Sequence, residues 1–266
     1  MRLLLDKCVD QSRLAFDEND FMIRRTFAPE TRGMKLDILA IAAHPDDVEI
    51  SAGGTIIRAV NEGKKVGIVD LTKGEMGSRG NGELRLQEAE HASKILGIEV
   101  RENLHLADCF FTHNEESLRA IIAAVRKYQP DIVLTNAPSD RHPDHGRASK
   151  LIRDACFYSG LRRIETNQEH WRPKAVYMFN QDYYNAPDFV VDVTDVWEQK
   201  IQALKAYKSQ FFNPTSQEPA TPISGSEFFD FLKSRCMDFG RPAGFLLAEG
   251  FLVDRTPGVR SLFDLI

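Results

Sequence analysis

Residues 36–49 read LDILAIAAHPDDVE. The first eight, LDILAIAA, are almost unbroken apolar sequence of strand length. They lack the polar alternation of a strand with one wet face, so they suit a parallel strand buried on both sides. The polar HPDD ends that run, and the period then changes. Val48, Ala52, Ile56, Ala59 and Val60 recur at helical spacing, and Gly63 is placed as a stop, which predicts a helix over 48–62. A buried strand turning at once into a helix is the opening of a βαβ unit.

Outward from that unit the alternation repeats. Strands are predicted at 66–71, 103–106, 132–135, 174–179, 188–193 and 246–253. Helices are predicted at 83–96, 115–128, 144–158, 195–208 and 225–238. The fold class is α/β: Rossmann-like, a mostly parallel sheet with helices on both faces. Residues 34–266 are read as a single domain. Residues 1–33 differ: they are charged, carry Arg24-Arg25, lead into Pro29 and Gly33, and offer at most one short helix near 9–17. They are read as an N-terminal extension dispensable for folding and catalysis, as upstream sequence ahead of Met34 would be.

Composition narrows the function classes. The 266 residues carry a formal charge of -5 and are 42% hydrophobic, as a globular enzyme would be. Mild acidity speaks against nucleic acid as a partner. No uncharged apolar run reaches membrane-spanning length, and Leu3-Leu4-Leu5 is followed at once by Asp6 and Lys7. Cys8, Cys109, Cys156 and Cys236 are far apart, which argues against a thiolate zinc site or a disulfide framework and for buried free thiols in a reducing cytoplasm. A small molecule met in the cytoplasm is the expected partner.

Two segments carry chemistry: AHPDDVE at 43–49 and DRHPDH at 140–145. Each follows a buried strand and opens a helix, so both belong to the sheet edge where ligands bind. Alone, either reads as a turn with an Asp cap. Together they read as a metal site, since imidazole and carboxylate suit zinc, and iron or manganese as well. His44 and Asp47, three apart, can share a helical face. The third ligand is His142 or His145. Asp46 is placed to move a proton, and Asp144 to orient His142. His91, His105, His113 and His170 lack such a setting. Gly53-Gly54 lacks the G-x-G-x-x-G spacing of a dinucleotide loop, and no G-x-S-x-G serine elbow is present.

At these residues the chain resembles the PIG-L/LmbE family of zinc-dependent N-acetylglucosaminyl deacetylases, whose signatures are A-H-P-D-D-x-E and a later H-x-D-H. DLTKGE (70–75), GELR (82–85), YKSQF (207–211) and AEGF (248–251) make it similar to the bacillithiol-pathway members, which act on N-acetylglucosaminyl-malate. The resemblance implies one zinc per chain on His44, Asp47 and His145. It implies Asp46 as general base and His142, protonated and supported by Asp144, as oxyanion stabiliser. It further implies Arg85, Arg141 and Tyr207 as substrate contacts, the arginines pairing with malate carboxylates, and a homo-oligomer. Chains of this family usually begin at the position of Met34.

Overall fold

A computed structural model describes residues 34–265. The extension 1–33 and the helix read near 9–17 lie outside the described residues. Seven strands form one sheet: β1 (Ile38–Ala42), β2 (Val66–Asp70), β3 (Val100–Asn103), β4 (Ile132–Asn136), β5 (Ala175–Phe179), β6 (Phe189–Asp192) and β7 (Ala248–Val253). Their order is β3-β2-β1-β4-β5-β7-β6. The first five pair in parallel, and β7 runs antiparallel to both β5 and β6. The sheet is mixed and mostly parallel, as predicted.

The period-2 geometry of a strand explains why 36–43 reads as continuous apolar sequence. Ala40 and Ala42 enter one core with Ile56, Ala89, Ile201 and Leu232. Those four come from α1 (Asp47–Asn61), α2 (Gly82–Leu96), α5 (Trp197–Lys205) and α6 (Glu227–Ala243). Leu39 and Ile41 enter a second core with Ile121, Val125, Leu151 and Ile152, from α3 (Glu115–Tyr128) and α4 (Pro143–Tyr158). Each of the larger aliphatic side chains contributes about 1.5–3 kcal/mol by leaving water. β1 thus has no wet face to mark with a polar residue.

Four expectations are corrected. The third strand lies at Val100–Asn103, not 103–106. It is a half-buried edge strand reading VREN, so it shows no apolar run. Leu104 and Leu106 still donate to the carbonyls of Asp70 and Leu71, but His105 at φ 55° breaks the extended backbone between them. The helix expected at 195–208 begins with a 3-10 turn, Thr194–Val196, and stops at Lys205. The helix expected at 225–238 continues to Ala243 and ends on Gly244 at φ 81°. Cys156 and Cys236 are buried free thiols, but Cys109 is exposed. Among the described residues no helix is long and apolar enough to cross a membrane.

Candidate active site and metal centre

The polar residues that follow β1, β3, β4 and β5 converge at the carboxyl ends of the strands, where an open parallel sheet leaves its crevice. The turn after β1 holds the centre. Asp46 caps α1 at φ 106°, a left-handed conformation for a non-glycine residue, which costs on the order of 1–3 kcal/mol. The reversal separates two neighbouring carboxylates. Asp46 faces Arg85, whose Nη2 donates to Oδ2 at 2.6 Å. Asp47 faces the histidines. Its Oδ2 accepts the His44 N–H and Asn136 Nδ2, and its Oδ1 accepts Gln181 Nε2 at 2.8 Å.

Each of two histidines is held by a carboxylate on one ring nitrogen and faces Asp47 with the other. His44 Nε2 lies 3.1 Å from Asp108 Oδ1, and its Nδ1 3.5 Å from Asp47 Oδ2. His145 Nδ1 lies 2.5 Å from Asp140 Oδ2, and its Nε2 3.1 Å from Asp47 Oδ1. Metal-binding histidines have this carboxylate support, which fixes the tautomer and raises basicity. Two ligands about 2.1 Å from a tetrahedral ion sit roughly 3.4 Å apart, and each histidine nitrogen lies near that distance from a different oxygen of Asp47. Ring nitrogens of His44, His142 and His145 also gather within 4.8 Å of one another.

The field at this centre is negative. Burial opposes charge on His44, yet hydrogen bonds to Asp108, Asp144 and Asp47 raise its pKa well above the usual imidazole range. Burial likewise opposes charge on His145, but Asp47 and Asp140 push it up to about 9. Asp47 is buried, and its two histidine neighbours still hold it well below the carboxylate range. Asp46 behaves differently. Burial lifts it, Arg85 opposes the rise and Asp47 adds to it, leaving a pKa of about 7.

His142 is the N-cap of α4: its Nδ1 accepts the Asp144 N–H at 3.2 Å. Burial, then the nearby charges of His44 and His145, lower its pKa. With Nδ1 accepting the Asp144 N–H, the ring's own N–H falls on Nε2, and the lowered pKa disfavours the imidazolium expected from the sequence. The Asp144 carboxylate makes no hydrogen bond to the ring, although its charge still raises the His142 pKa against those larger influences. That carboxylate accepts the Cys109 N–H and Arg147 Nη1 and lies 3.4 Å from His44 Nε2.

Of the three expected substrate contacts, the two arginines line the cavity, each engaged by a carboxylate, and Tyr207 does not. Arg85 is buried, bound to Asp46 and to the Pro45 carbonyl. Arg141 stays exposed at the cavity, its Nε on Asp182 Oδ2 at 2.5 Å. Tyr207 is fully buried, and its hydroxyl donates to Glu49 Oε1 at 2.8 Å, out of reach of any ligand. The cavity itself, about 310 Å³, is lined by His44, Asp46, Asp47, Arg85, His142 and His145 among others. A wider groove of about 550 Å³ between α2 and β3 receives none of the converging histidines.

Sequence reading missed Asp108, Asn136 and Gln181 and assigned no role to Asp140. Each lies at or just past a strand's carboxyl end, the one signal that marks them.

A family model described as GlcNAc-PI de-N-acetylase, PIG-L, matches residues 39–156, which span both signature loops. Diacetylchitobiose deacetylase from Thermococcus kodakarensis is 29% identical over 236 residues, 84% of each chain. A probable N-acetyl-alpha-D-glucosaminyl L-malate deacetylase 2 from Bacillus subtilis is 28% identical over 197 residues, 66% of this chain and 84% of its own. The bacillithiol-type enzyme is thus one similar relative among deacetylases of other sugars. The crystal structure of a conserved protein from Thermus thermophilus superposes with a TM-score of 0.75 at 34% identity, covering 85% of this chain and 100% of that one. Matched by the family model across both signature loops and similar to that relative along its whole length, the chain belongs to the PIG-L family.

Proposed function

We propose that the protein hydrolyses the acetamide of a neutral N-acetylglucosaminyl glycoside, using a divalent ion, zinc by its ligand set, on His44, Asp47 and His145. The observation that carries this reading is the pair of carboxylate-held histidines facing Asp47, with a carboxylate of pKa about 7 beside them. An ion there supplies Lewis acidity, which polarises an amide carbonyl and makes water nucleophilic near neutral pH. Asp46 takes a proton as water adds to the carbonyl carbon. His142 donates its Nε2 proton in a hydrogen bond to the amide oxygen as that atom gains charge. Asp46 then returns its proton to the sugar nitrogen, the C–N bond breaks, and acetate leaves.

The neutral aglycone follows from charge. The two arginines of the cavity, Arg85 and Arg141, are each bound to a carboxylate, and Asp46, Asp47, Asp108 and Asp182 line the same space. One observation favours a second reading, the malate conjugate. Arg141 uses only its Nε on Asp182, so its terminal nitrogens are available to fork a carboxylate at the rim.

Acetate release from N-acetylglucosamine, N,N'-diacetylchitobiose and the malate conjugate tests both. Chelation should abolish turnover and zinc restore it. Asp46→Asn should retain the metal and lose most turnover. A preference for the malate conjugate would replace the first reading by the second, and full activity without metal would overturn both.

A further inference from the structure

Residues 212–226 join the YKSQF turn to α6 and read FNPTSQEPATPISGS. Thr221, Pro222 and Ile223 of this segment line the same cavity as the histidines. Ile223 is half-buried and packs against the core that holds Phe211 and Phe228. The Thr221 hydroxyl is buried and has no hydrogen-bond partner. Otherwise the segment bonds to itself: Thr215 to Asn213, Glu218 to Ser216, Thr221 to Ser224. Beyond its junction with α6, where the Phe228 N–H donates to the Gly225 carbonyl, its hydrogen bond to another part of the molecule runs from Arg79 Nη2 to Ser216 Oγ, at 2.7 Å. Arg79 is buried, and its carbonyl accepts Gln210 Nε2 at 3.0 Å. Arg79 belongs to the loop that also brings Met76, Gly77 and Ser78 to the cavity.

We propose that Thr221, Pro222 and Ile223 determine specificity by contacting the group attached to the N-acetylglucosamine, and that the Arg79–Ser216 hydrogen bond holds them in place. Thr221-Pro222-Ile223 carries no charge. It offers two apolar side chains for the C–H face of a sugar ring and one unpaired hydroxyl for a ring hydroxyl. A second neutral hexosamine fits that chemistry, and a dicarboxylate does not. The inference rests on the deacetylase reading.

The test is the ratio of kcat/KM for N,N'-diacetylchitobiose to that for N-acetylglucosamine. Ile223→Ala and Thr221→Val should each lower it by about tenfold or more, the size of one lost pocket contact. Ile223→Phe, which fills the cavity, should also lower it. Arg79 acts through the segment, so Arg79→Met should raise KM more than it changes kcat, and Arg79→Lys should restore part of the loss. Thermal unfolding establishes that each variant is folded. If the ratio is unchanged in folded Ile223→Ala and Ile223→Phe, the inference fails while the deacetylase reading stands. If the wild-type holoenzyme releases acetate from neither sugar, both fall.

Discussion

Replacing Arg85 by methionine separates two roles for this arginine. Its Nη2 lies 2.6 Å from Asp46 Oδ2 in a buried setting. Burial lifts Asp46 to about 7, and the Arg85 guanidinium is the main influence opposing that rise. A charged hydrogen bond contributes about 1.5–3 kcal/mol, and one pH unit corresponds to about 1.36 kcal/mol. Losing Arg85 should therefore raise the Asp46 pKa by about 1–2 units, to roughly 8–9. The base acts as the carboxylate, so activity is lost as pH falls through its pKa. In the wild type kcat/KM should fall below about pH 7. In Arg85→Met the same limb should move to about pH 8–9, reducing kcat/KM at pH 7 by roughly fivefold to fiftyfold and restoring it near pH 10. The assay is acetate release across that range with saturating metal. An arginine that bound a substrate carboxylate would instead raise KM by one factor at every pH. A uniform loss without a shifted limb would refute the assignment of Asp46 and Arg85 as base and tuning partner.

Two further outcomes concern residues that the structure relocated or added. Asp140→Asn and Asp108→Asn remove the carboxylates that hold His145 and His44, and each should weaken zinc binding about tenfold to a hundredfold, read by competition with a chromophoric chelator; wild-type affinity in both variants would dismiss the metal centre. Tyr207→Phe deletes a buried hydrogen bond to the Glu49 carboxylate and should cost about 1.5–3 kcal/mol of stability without raising KM; a raised KM at wild-type thermal stability would return Tyr207 to the substrate.

The elements that sequence reading placed well share a physical cause. β1, β2 and β4 are buried on both faces, so their apolar runs are unbroken, and α1 to α4 have one core face with a stop or cap at the end. β3 was displaced because an edge strand needs no apolar run. In the site, His44, Asp47 and the pair His142 and His145 were legible because two short loops concentrate them, while the choice of His145 as ligand came only from the family resemblance. Asp108 and Gln181 were not, since each is a single polar residue whose role depends on where distant strands end. Direction was also hidden. Spacing brings Asp144 next to His142, but the first turn of α4 sends its carboxylate toward His44 and presents only its N–H to His142. Arg85 and Tyr207 have residue types that suit a ligand, and only burial shows that their partners are Asp46 and Glu49.

Those inward-facing residues bear on how a strained turn is held. Asp46 adopts φ 106° at the start of α1, and such a conformation persists only where its surroundings over-determine it. Two buried charged networks grip α1 just beyond the turn. Glu49 accepts Arg101 and Tyr207, and Arg101 also forks onto Asp70. Further along, Glu249 accepts the N–H groups of Gly54 and Thr55, the Thr55 hydroxyl and the Lys200 ammonium, which also donates to the Ile50 carbonyl. Gly54 makes that approach possible: a Cβ there would stand 2.6 Å from Val193 and 3.1 Å from Glu249. Buried ion pairs of this kind add little net stability, but losing one partner costs about 3–5 kcal/mol. That exceeds the strain at Asp46, so α1 cannot relax its first turn without breaking a larger interaction. Tyr207 and Glu249, from the YKSQF and AEGF stretches, thus hold Asp46 and Asp47 apart, one toward Arg85 and one toward the histidines.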